Sequence, residues 1–210
     1  MIRVLIADDH ALIREGLKKI LKEETDMMVV GEACHPSEVL GFLATTLVDI
    51  LVLDISMPDK SGLEVLKEVK HRHPKMPVLM LSVHPEERFA VRALKAGAAG
   101  YVTKESATEE LVKAIRRACR GGKYVSPNLA EKLAEEIEVD SQKPLHQTLS
   151  DREYEVMCML ATGKTLTQVA EKLSLSTSSV NTYRARILEK MKMKTNAELM
   201  HYAIRNRLVD

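Results

Sequence analysis

Along the first 121 residues, the hydrophobic positions follow two alternating patterns. Short apolar runs, most of them rich in β-branched residues or leucine, predict five buried strands. Longer stretches between and after them repeat apolar residues at helical spacing and predict five helices. Because parallel strands are joined by crossover helices, the alternation predicts an α/β fold with a five-stranded, parallel, doubly wound sheet. The strands are predicted at residues 2–7, 27–31, 49–55, 78–83 and 100–103, and the helices at residues 11–23, 37–45, 62–71, 86–96 and 109–120.

The pattern after residue 121 is helical throughout. A Gly-Gly pair at 121–122 ends the first unit, a short helix is predicted at 127–137, and the polar stretch 139–148 is typical of a linker. Ser176 is expected to cap one later helix, and three other helix starts carry capping boxes. These boxes are Ser150 with Glu153, Thr165 with Gln168, and Thr195 with Glu198.

These boundaries predict three parts of the chain. The α/β domain is expected at residues 1–121, followed by a linker with a short helix at 122–147. A second, smaller all-α domain of four helices is expected at 148–210. Each domain is long enough to bury a core of its own.

Composition excludes several classes of protein. Aromatic residues are 3% of the chain with no Trp, which argues against stacking platforms for single-stranded nucleic acid. The three cysteines are scattered and form no CxxC pair, so we expect reduced thiols rather than disulfides or zinc ligands. We find no leader segment and no apolar run long enough to cross a membrane, and therefore expect a cytoplasmic protein without a membrane partner.

Charge is unevenly spread along the chain. The formal net charge is only +1, but residues 177–194 hold five Lys or Arg residues against one acidic residue. A local excess of positive charge favours binding to a polyanion near the C-terminal end.

Polar side chains stand where the predicted strands end. Asp8 and Asp9 follow the first strand, Asp54 lies at the end of the third, Ser82 of the fourth and Lys104 of the fifth. Ligands of open parallel sheets bind at the carboxyl ends of the strands, so these side chains are expected to converge. Clustered carboxylates repel one another, and a hard cation such as Mg²⁺ relieves the repulsion. An aspartate beside such an ion can act as a nucleophile and form an acyl phosphate, with Ser82 and Lys104 binding the phosphoryl oxygens.

Each of these residues also has a structural interpretation. Strand-end carboxylates can cap the following helices, with Lys104 as their ion-pair partner. All five at strand ends together favour a binding site. His10 is expected to be a partly exposed loop residue, with a more remote role at the metal as the alternative.

A helix-turn-helix layout is predicted near the C-terminal end. Residues 165–175 predict a short helix and a tight connection, and residues 178–192 predict a second helix. At 100° per residue, Val180, Ile187 and Met191 share one face. The opposite face is small and polar, which suits the major groove of DNA, although any amphipathic helix has a solvated face.

The strand-end motifs resemble the receiver domain of response regulators. They comprise Ile-Ala-Asp-Asp-His at 6–10, Leu-Asp-Ile-Ser-Met-Pro at 53–58, Leu-Ser at 81–82 and Tyr-Val-x-Lys at 101–104. The resemblance implies that Asp54 accepts phosphate from a sensor histidine kinase, with no enzyme activity beyond its own phosphorylation and hydrolysis. Glu105 follows the lysine where many receivers have a cis proline, and the isomer of that bond is left open. The implied Mg²⁺ ligands are Asp8, Asp9, Asp54 and the backbone carbonyl of Ser56, and the implied phosphoryl-binding and switch residues are Ser82, Tyr101 and Lys104.

Motifs in the C-terminal part resemble the LuxR-type DNA-binding domain. They include Leu-Ser-x-Arg-Glu-x-Glu-Val at 149–156 and Val-Ala-x-x-Leu-x-Leu-Ser at 169–176. The whole chain thus resembles the NarL/FixJ subfamily of response regulators, in which phosphorylation controls sequence-specific DNA binding and transcription. The implied base contacts are Asn181, Thr182 and Ala185, and the implied phosphate contacts are Thr167, Ser179, Tyr183, Arg186 and Lys190, with Arg184 added from the flank.

The resemblance also implies partners. Double-stranded promoter DNA and RNA polymerase are expected, as is a homodimer promoted by phosphorylation through the final helix, predicted at 197–205. Two other functions remain open from the residues alone. An aspartyl-phosphate phosphatase usually has a second Asp two residues after its nucleophile, where Ser56 stands here. A protein-interaction adaptor would carry acidic or bulky apolar residues on the outward face of the second helix, where only Glu189 fits.

Overall fold

The structure is a computed structural model that describes residues 1–83, 86–127, 129–131, 133, 144–206 and 208–209, with the backbone only for residues 86–88. The chain divides into two compact units, Met1–Glu131 and Lys132–Asp210.

The first unit contains the predicted parallel sheet. Its spatial order is β2-β1-β3-β4-β5, with every neighbouring pair parallel. The chain order reverses between β1 and β3, and ligands of such sheets bind in the crevice outside the carboxyl ends at this point. The predicted fold class is confirmed. The strands are β1 (Ile2–Ala7), β2 (Met27–Ala33), β3 (Ile50–Asp54), β4 (Val78–Ser82) and β5 (Gly100–Thr103).

Helices cover both faces of this sheet. α1 and α5 pack against each other, and their buried residues join the strand residues Val4, Ile6 and Val52 in one apolar cluster. On the other face, α2 and α3 contact each other and the sheet, while α4 packs against β5. Burial on both faces explains why β3 and β4 are apolar almost throughout. The helices are α1 (Ala11–Lys22), α2 (Pro36–Thr45), α3 (Gly62–Arg72), α4 (Glu86–Lys95) and α5 (Ala107–Cys119).

Most boundaries differ from the predicted ones by no more than two residues. β2 continues to Ala33 because Glu32 and Ala33 remain paired with Ile6 and Ala7 of β1. α5 begins earlier than predicted, at Ala107.

The second unit is helical in its described part. A 3-10 helix, Leu145–Thr148, precedes α6 (Asp151–Ala161), α7 (Leu166–Leu173), α8 (Thr177–Lys190) and α9 (Asn196–Arg205). α6 packs against α8 and α9, and α7 packs against α8. Between α7 and α8, Ser174 adopts the left-handed backbone conformation with φ 53°, which makes the turn tight.

The predicted helix caps are nearly all present. Ser150 and Thr165 form complete capping boxes with Glu153 and Gln168, and the Ser176 hydroxyl accepts from the backbone N–H of Ser179 at 3.0 Å. The third predicted box is only half formed. Thr195 Oγ1 accepts from Glu198 N, but the Glu198 carboxylate accepts from Lys194 N instead of Thr195 N.

The helix predicted at 127–137 is only partly covered. Residues 127, 129–131 and 133 are helical, and the rest of that prediction, like residues 139–143 of the predicted linker, lies outside the described residues. Within the described ranges, every helix is too short or too polar to cross a membrane.

Candidate functional site: an acidic pocket and a helix-turn-helix

The sheet register brings two aspartates together. Ala7 pairs with Leu53, so the residues that follow them, Asp8 and Asp54, lie side by side at the carboxyl edge of β1 and β3. Both side chains are buried, with Asp8 0% and Asp54 1% exposed. The Asp8 carboxylate is held by the backbone N–H of His10, which donates to Oδ1 at 2.9 Å.

Lys104 reaches both carboxylates from the end of β5. Its Nζ lies 2.7 Å from Asp8 Oδ2 and 2.9 Å from Asp54 Oδ2, and its side chain is only 7% exposed. The Lys104 backbone N–H donates to the Ser82 carbonyl at 2.7 Å, which fixes the end of β5 beside β4. The Lys104–Glu105 peptide bond, left open by the sequence, is trans. We call Asp8, Asp9, Asp54 and Lys104 the acidic pocket.

Negative charge is in excess in this pocket. Burial raises the pKa of Asp54 to about 6, opposed by the Lys104 ammonium and assisted by the Asp8 carboxylate. Burial would lower the pKa of Lys104, but the carboxylates of Asp54 and Asp8 outweigh it and raise that pKa. Asp54 Oδ1 is buried and accepts no hydrogen bond from any described residue. A buried oxygen of this kind is costly unless a ligand or cation completes it.

The loop after Asp54 depends on one glycine. A Cβ on Gly62 would lie 1.9 Å from the Asp54 carbonyl oxygen, so only glycine lets α3 begin against the end of β3. The Gly62 N–H donates to the Ile55 carbonyl at 2.7 Å, and Ser61 caps α3 in a capping box with Glu64. Ser56 lies in this loop, 8% exposed.

A second contact at this loop, between Asp59 and His35, was not predicted from the sequence. Asp59 has the left-handed φ of 60°, and its Oδ2 lies 2.6 Å from His35 Nε2. His35 also caps α2 through Nδ1, which accepts from Ser37 N. Histidine is not a usual cap residue, and the partners are 24 positions apart; local sequence rules therefore miss both contacts.

The two predicted switch residues are buried near the same edge. Ser82 ends β4, Tyr101 lies in β5 opposite Met80, and both are 0% exposed.

In the second unit, α8 has the faces predicted for it. Val180, Ile187 and Met191 are buried, at 0%, 0% and 1% exposure. Tyr183 and Leu188 are half-buried at the flanks. The exposed face of α8 includes Asn181, Thr182, Ala185, Arg186 and Glu189, and Thr167 of α7 is exposed as well.

Four of the predicted DNA contacts also have partners within the protein, and the first of them is Thr182, whose hydroxyl donates to the Ser178 carbonyl at 3.0 Å. Lys190 Nζ donates to Glu153 Oε2 at 2.6 Å, and Arg184 Nε donates to Asn196 Oδ1 at 2.6 Å. Ser179 shares a hydroxyl hydrogen bond of 2.8 Å with Ser176. The contacts of Lys190 and Arg184 were not foreseen from the sequence, because each joins two different helices. The assigned roles of these residues stay predictions.

Two protein families match the two units. Residues 4–116 match the response regulator receiver domain, and residues 147–203 match the bacterial regulatory proteins of the luxR family. The response regulator UvrY of Escherichia coli strain K12 is 36% identical over 209 residues, covering 99% of this chain and 96% of that protein. The response regulator GacA of Pseudomonas aeruginosa is 36% identical over 211 residues, covering 100% and 99%.

A solved structure resembles the chain over nearly its whole length. RcsB of Salmonella enterica serovar Typhimurium, bound to promoter rprA in the presence of phosphomimetic BeF3-, has a TM-score of 0.66 and 27% sequence identity. The match covers 96% of this chain and 97% of that one. The chain therefore belongs to the NarL/FixJ family of transcriptional response regulators, which join a receiver domain to a LuxR-type helix-turn-helix DNA-binding domain.

Proposed function

We propose that Asp54 is the phosphoryl acceptor of this response regulator, that its donor is a phosphohistidine of a sensor histidine kinase, and that the modification controls DNA binding by the C-terminal domain. The observation that carries the proposal is Asp54 Oδ1, a buried carboxylate oxygen without a described partner, beside a second buried acid and a buried ammonium. The proposed domain bounds are 1–121 for the receiver, 122–147 for the linker and 148–210 for the DNA-binding domain.

The residues of the pocket fit a hard divalent cation. Asp8, Asp9 and Asp54 each offer a carboxylate oxygen, and these atoms lie within 4.8 Å of one another. We propose that they hold Mg²⁺ together with the backbone carbonyl of Ser56, because oxygen ligands and retained waters are what Mg²⁺ prefers. When bound, the ion would neutralise charge on the phosphoryl oxygens.

The chemistry assigned to the chain's own residues is simple. The Asp54 carboxylate oxygen attacks phosphorus, the P–N bond of the phosphohistidine breaks, and the imidazole leaves with the electron pair. We propose that Lys104 binds a phosphoryl oxygen through the ammonium that contacts Asp54 at 2.9 Å. Ser82 is assigned a second phosphoryl contact, and its change of position is coupled to that of Tyr101. Attack of water on the acyl phosphate returns Asp54 and inorganic phosphate.

The exposed face of α8 supports DNA binding. We propose that Asn181, Thr182 and Ala185 face the base edges, since small and amide side chains suit the major groove. The residues proposed to contact phosphates are Thr167, Ser179, Tyr183, Arg184, Arg186 and Lys190. Structures of RcsB bound to promoter DNA support the same use of the domain.

Recognition of two half-sites on promoter DNA suggests a second copy of this chain as a partner. One helix-turn-helix covers one half-site, so symmetric promoter sites call for a dimer. We propose a phosphorylation-promoted homodimer through α9, whose Met200 and Ile204 are exposed at 36% and 53%. RNA polymerase is the proposed partner at the promoter, and the cytoplasm the proposed compartment.

Mapping the phosphoryl group tests the proposal. Wild type, Asp54→Asn and Asp59→Asn are incubated with acetyl phosphate and Mg²⁺, and the adduct is located by mass spectrometry. Asp59 is the matched control, since it is a nearby aspartate with 64% side-chain exposure. We expect labelling of wild type and Asp59→Asn, no labelling of Asp54→Asn, and no labelling in EDTA. Equal labelling of Asp54→Asn would refute the assignment.

A second test addresses the DNA contacts. Arg186→Ala should lower the slope of log K against log salt by about 0.9, since one phosphate contact is lost. Asn181→Ala should relax sequence preference and leave the slope unchanged. Lys19→Ala, an exposed cation of α1, is the control and should change neither quantity. An unchanged slope for Arg186→Ala would remove Arg186 from the phosphate contacts.

A further inference from the structure

A histidine side chain lies against the acidic pocket. His10 Nδ1 lies 2.6 Å from Asp9 Oδ1 and 3.3 Å from Asp8 Oδ1. One ligand atom each from Asp8, Asp9, His10 and Asp54 can be chosen so that all four lie within 4.8 Å of one another. The sequence favoured a loop residue for His10, and the exposure of its side chain, 63%, agrees with that part of the expectation.

The spacing is close to that of ligands around one ion. Nitrogen and oxygen ligands lie about 2.0–2.2 Å from a first-row transition metal, so two ligands on opposite sides of the ion are roughly 4.2 Å apart. The four atoms, none more than 4.8 Å from another, are spaced comparably to such ligands. A second observation points to the same place, since Asp54 Oδ1 is buried in the cluster and accepts no hydrogen bond from the described residues.

The chemistry of the ligand atoms determines which cations bind more tightly when His10 is a ligand. Carboxylate and carbonyl oxygens suit Mg²⁺ and Mn²⁺, whereas imidazole nitrogen suits Zn²⁺, Ni²⁺ and Cu²⁺. We infer that His10 is a direct ligand of the pocket's metal site, through Nδ1, and that it gives the site a preference for divalent transition metals over Mg²⁺. This inference rests on the metal site of the proposed function and extends it to the class of cation.

The inference separates direct ligation from a supporting role. If His10 only orients Asp9 by a hydrogen bond, its removal weakens every cation that uses Asp9 by a similar factor. If His10 binds the ion, its removal weakens Ni²⁺ and Zn²⁺ and leaves Mg²⁺ nearly unchanged. Dependence on the type of cation is therefore the decisive quantity.

Calorimetric titration of the full chain measures how the affinity lost on removing His10 depends on the cation. Mg²⁺, Ni²⁺ and Zn²⁺ are titrated separately into wild type, His10→Asn and His35→Asn, and Asp54→Asn reports whether binding is at the pocket. His35→Asn is the matched control, because it removes a His–Asp contact of the same 2.6 Å length outside the pocket. We expect His10→Asn to raise the Kd for Ni²⁺ and Zn²⁺ at least about tenfold, which is the smallest loss usual when a residue that supports a metal ligand is removed. The Kd for Mg²⁺ should rise by less than twofold. His35→Asn should change none of these constants.

A spectroscopic readout tests ligation without relying on affinity. In histidine-¹⁵N-labelled protein, stoichiometric Zn²⁺ should shift the Nδ1 resonance of His10, and Asp54→Asn should weaken that shift. An equal loss of Mg²⁺ and Ni²⁺ affinity in His10→Asn, or an unshifted Nδ1 resonance, would overturn the inference. Mg²⁺-dependent phosphoryl labelling of Asp54 separates failure of this inference from failure of the proposed function. If His10→Asn is labelled and its metal affinities do not differ as expected, only this inference fails. If wild type is not labelled, the proposed function fails.

Discussion

Each unit of the chain buries a cluster of charged side chains, and the two clusters are built differently. In the acidic pocket, one ammonium faces two fully buried carboxylates. In the second unit, Arg152 and Glu155 of α6 form a one-to-one pair at 2.7 Å, with side chains 2% and 0% exposed. Arg152 also donates to the Leu173 carbonyl at the end of α7, at 3.1 Å.

The difference is one of charge balance. The one-to-one pair neutralises its own charges and joins α6 to the end of α7, just before the left-handed Ser174 turn into α8, so it stabilises the helix-turn-helix. The pocket carries more negative than positive charge and is stabilised by a bound cation. Burial alone does not mark a functional site; buried charge that the protein leaves uncompensated does.

The largest expected effect comes from breaking the balanced pair. Glu155→Leu leaves the Arg152 guanidinium buried without its carboxylate and should lower the free energy of unfolding by about 3–5 kcal/mol. Arg152→Met combined with Glu155→Leu should recover most of this loss, because no unpaired charge remains. Urea unfolding of the full chain followed by circular dichroism measures both. The control is Arg72→Met, which breaks an exposed pair with Glu68 and should cost below about 1 kcal/mol. A loss for Glu155→Leu as small as the control's would contradict the comparison.

In the acidic pocket, removing a charge should raise the free energy of unfolding instead of lowering it. Asp54 has a pKa of about 6 in the folded chain against 3.8 for its usual value. Between these values the folded state binds more protons than the unfolded state, so wild type loses stability as pH rises through this window. In EDTA, Asp54→Asn should therefore match wild type near pH 4 and be more stable above pH 7, by up to about 3 kcal/mol. Thermal unfolding across this pH range measures the difference in stability between Asp54→Asn and wild type. A difference that does not grow as pH rises would show that the charges of the pocket already compensate one another.

The smallest effect concerns a pair that links α6 to α8, in which Lys190 is 43% exposed and Glu153 is 5% exposed. Because the Lys190 ammonium remains in contact with solvent, the pair itself should contribute only about 1 kcal/mol to stability. Glu153→Gln keeps the capping group for Ser150 but frees Lys190 for DNA phosphate. We expect little change in unfolding and a steeper salt dependence of DNA binding, by up to about 0.9 in slope. If Lys190→Ala and Glu153→Gln both left the slope unchanged, Lys190 would not contact DNA.

The sequence predicted the sheet and the acidic pocket because both follow from local patterns. Apolar runs mark buried strands, and the carboxyl ends of parallel strands share one edge, so Asp8, Asp54 and Lys104 converge once the strand order is set. The prediction of the two faces of α8 succeeded for the same reason, since Val180 and Ile187 are seven residues apart, which is about two helical turns.

Contacts between side chains that are distant in the sequence could not be predicted from local patterns. The pairing of His35 with Asp59 and of Lys190 with Glu153 depends on how loops and helices meet in space. The need for glycine at position 62, which comes from the approach of α3 to the Asp54 carbonyl, appears only in three dimensions. Similarly, the Lys194 N–H competes with Thr195 for the Glu198 carboxylate, which local capping rules do not foresee.

Phosphorylation of Asp54 is proposed to control DNA binding. The most direct measurement is the affinity of the full-length chain for a promoter fragment selected from genomic DNA, with and without acetyl phosphate and Mg²⁺, together with sedimentation of the same samples. For wild type we predict a shift from monomer toward dimer and a gain in affinity of about 5- to 150-fold, the usual range of coupling between two sites. Asp54→Asn should show neither change. Equal affinity of phosphorylated and unphosphorylated wild type, or an equal gain in Asp54→Asn, would contradict the account.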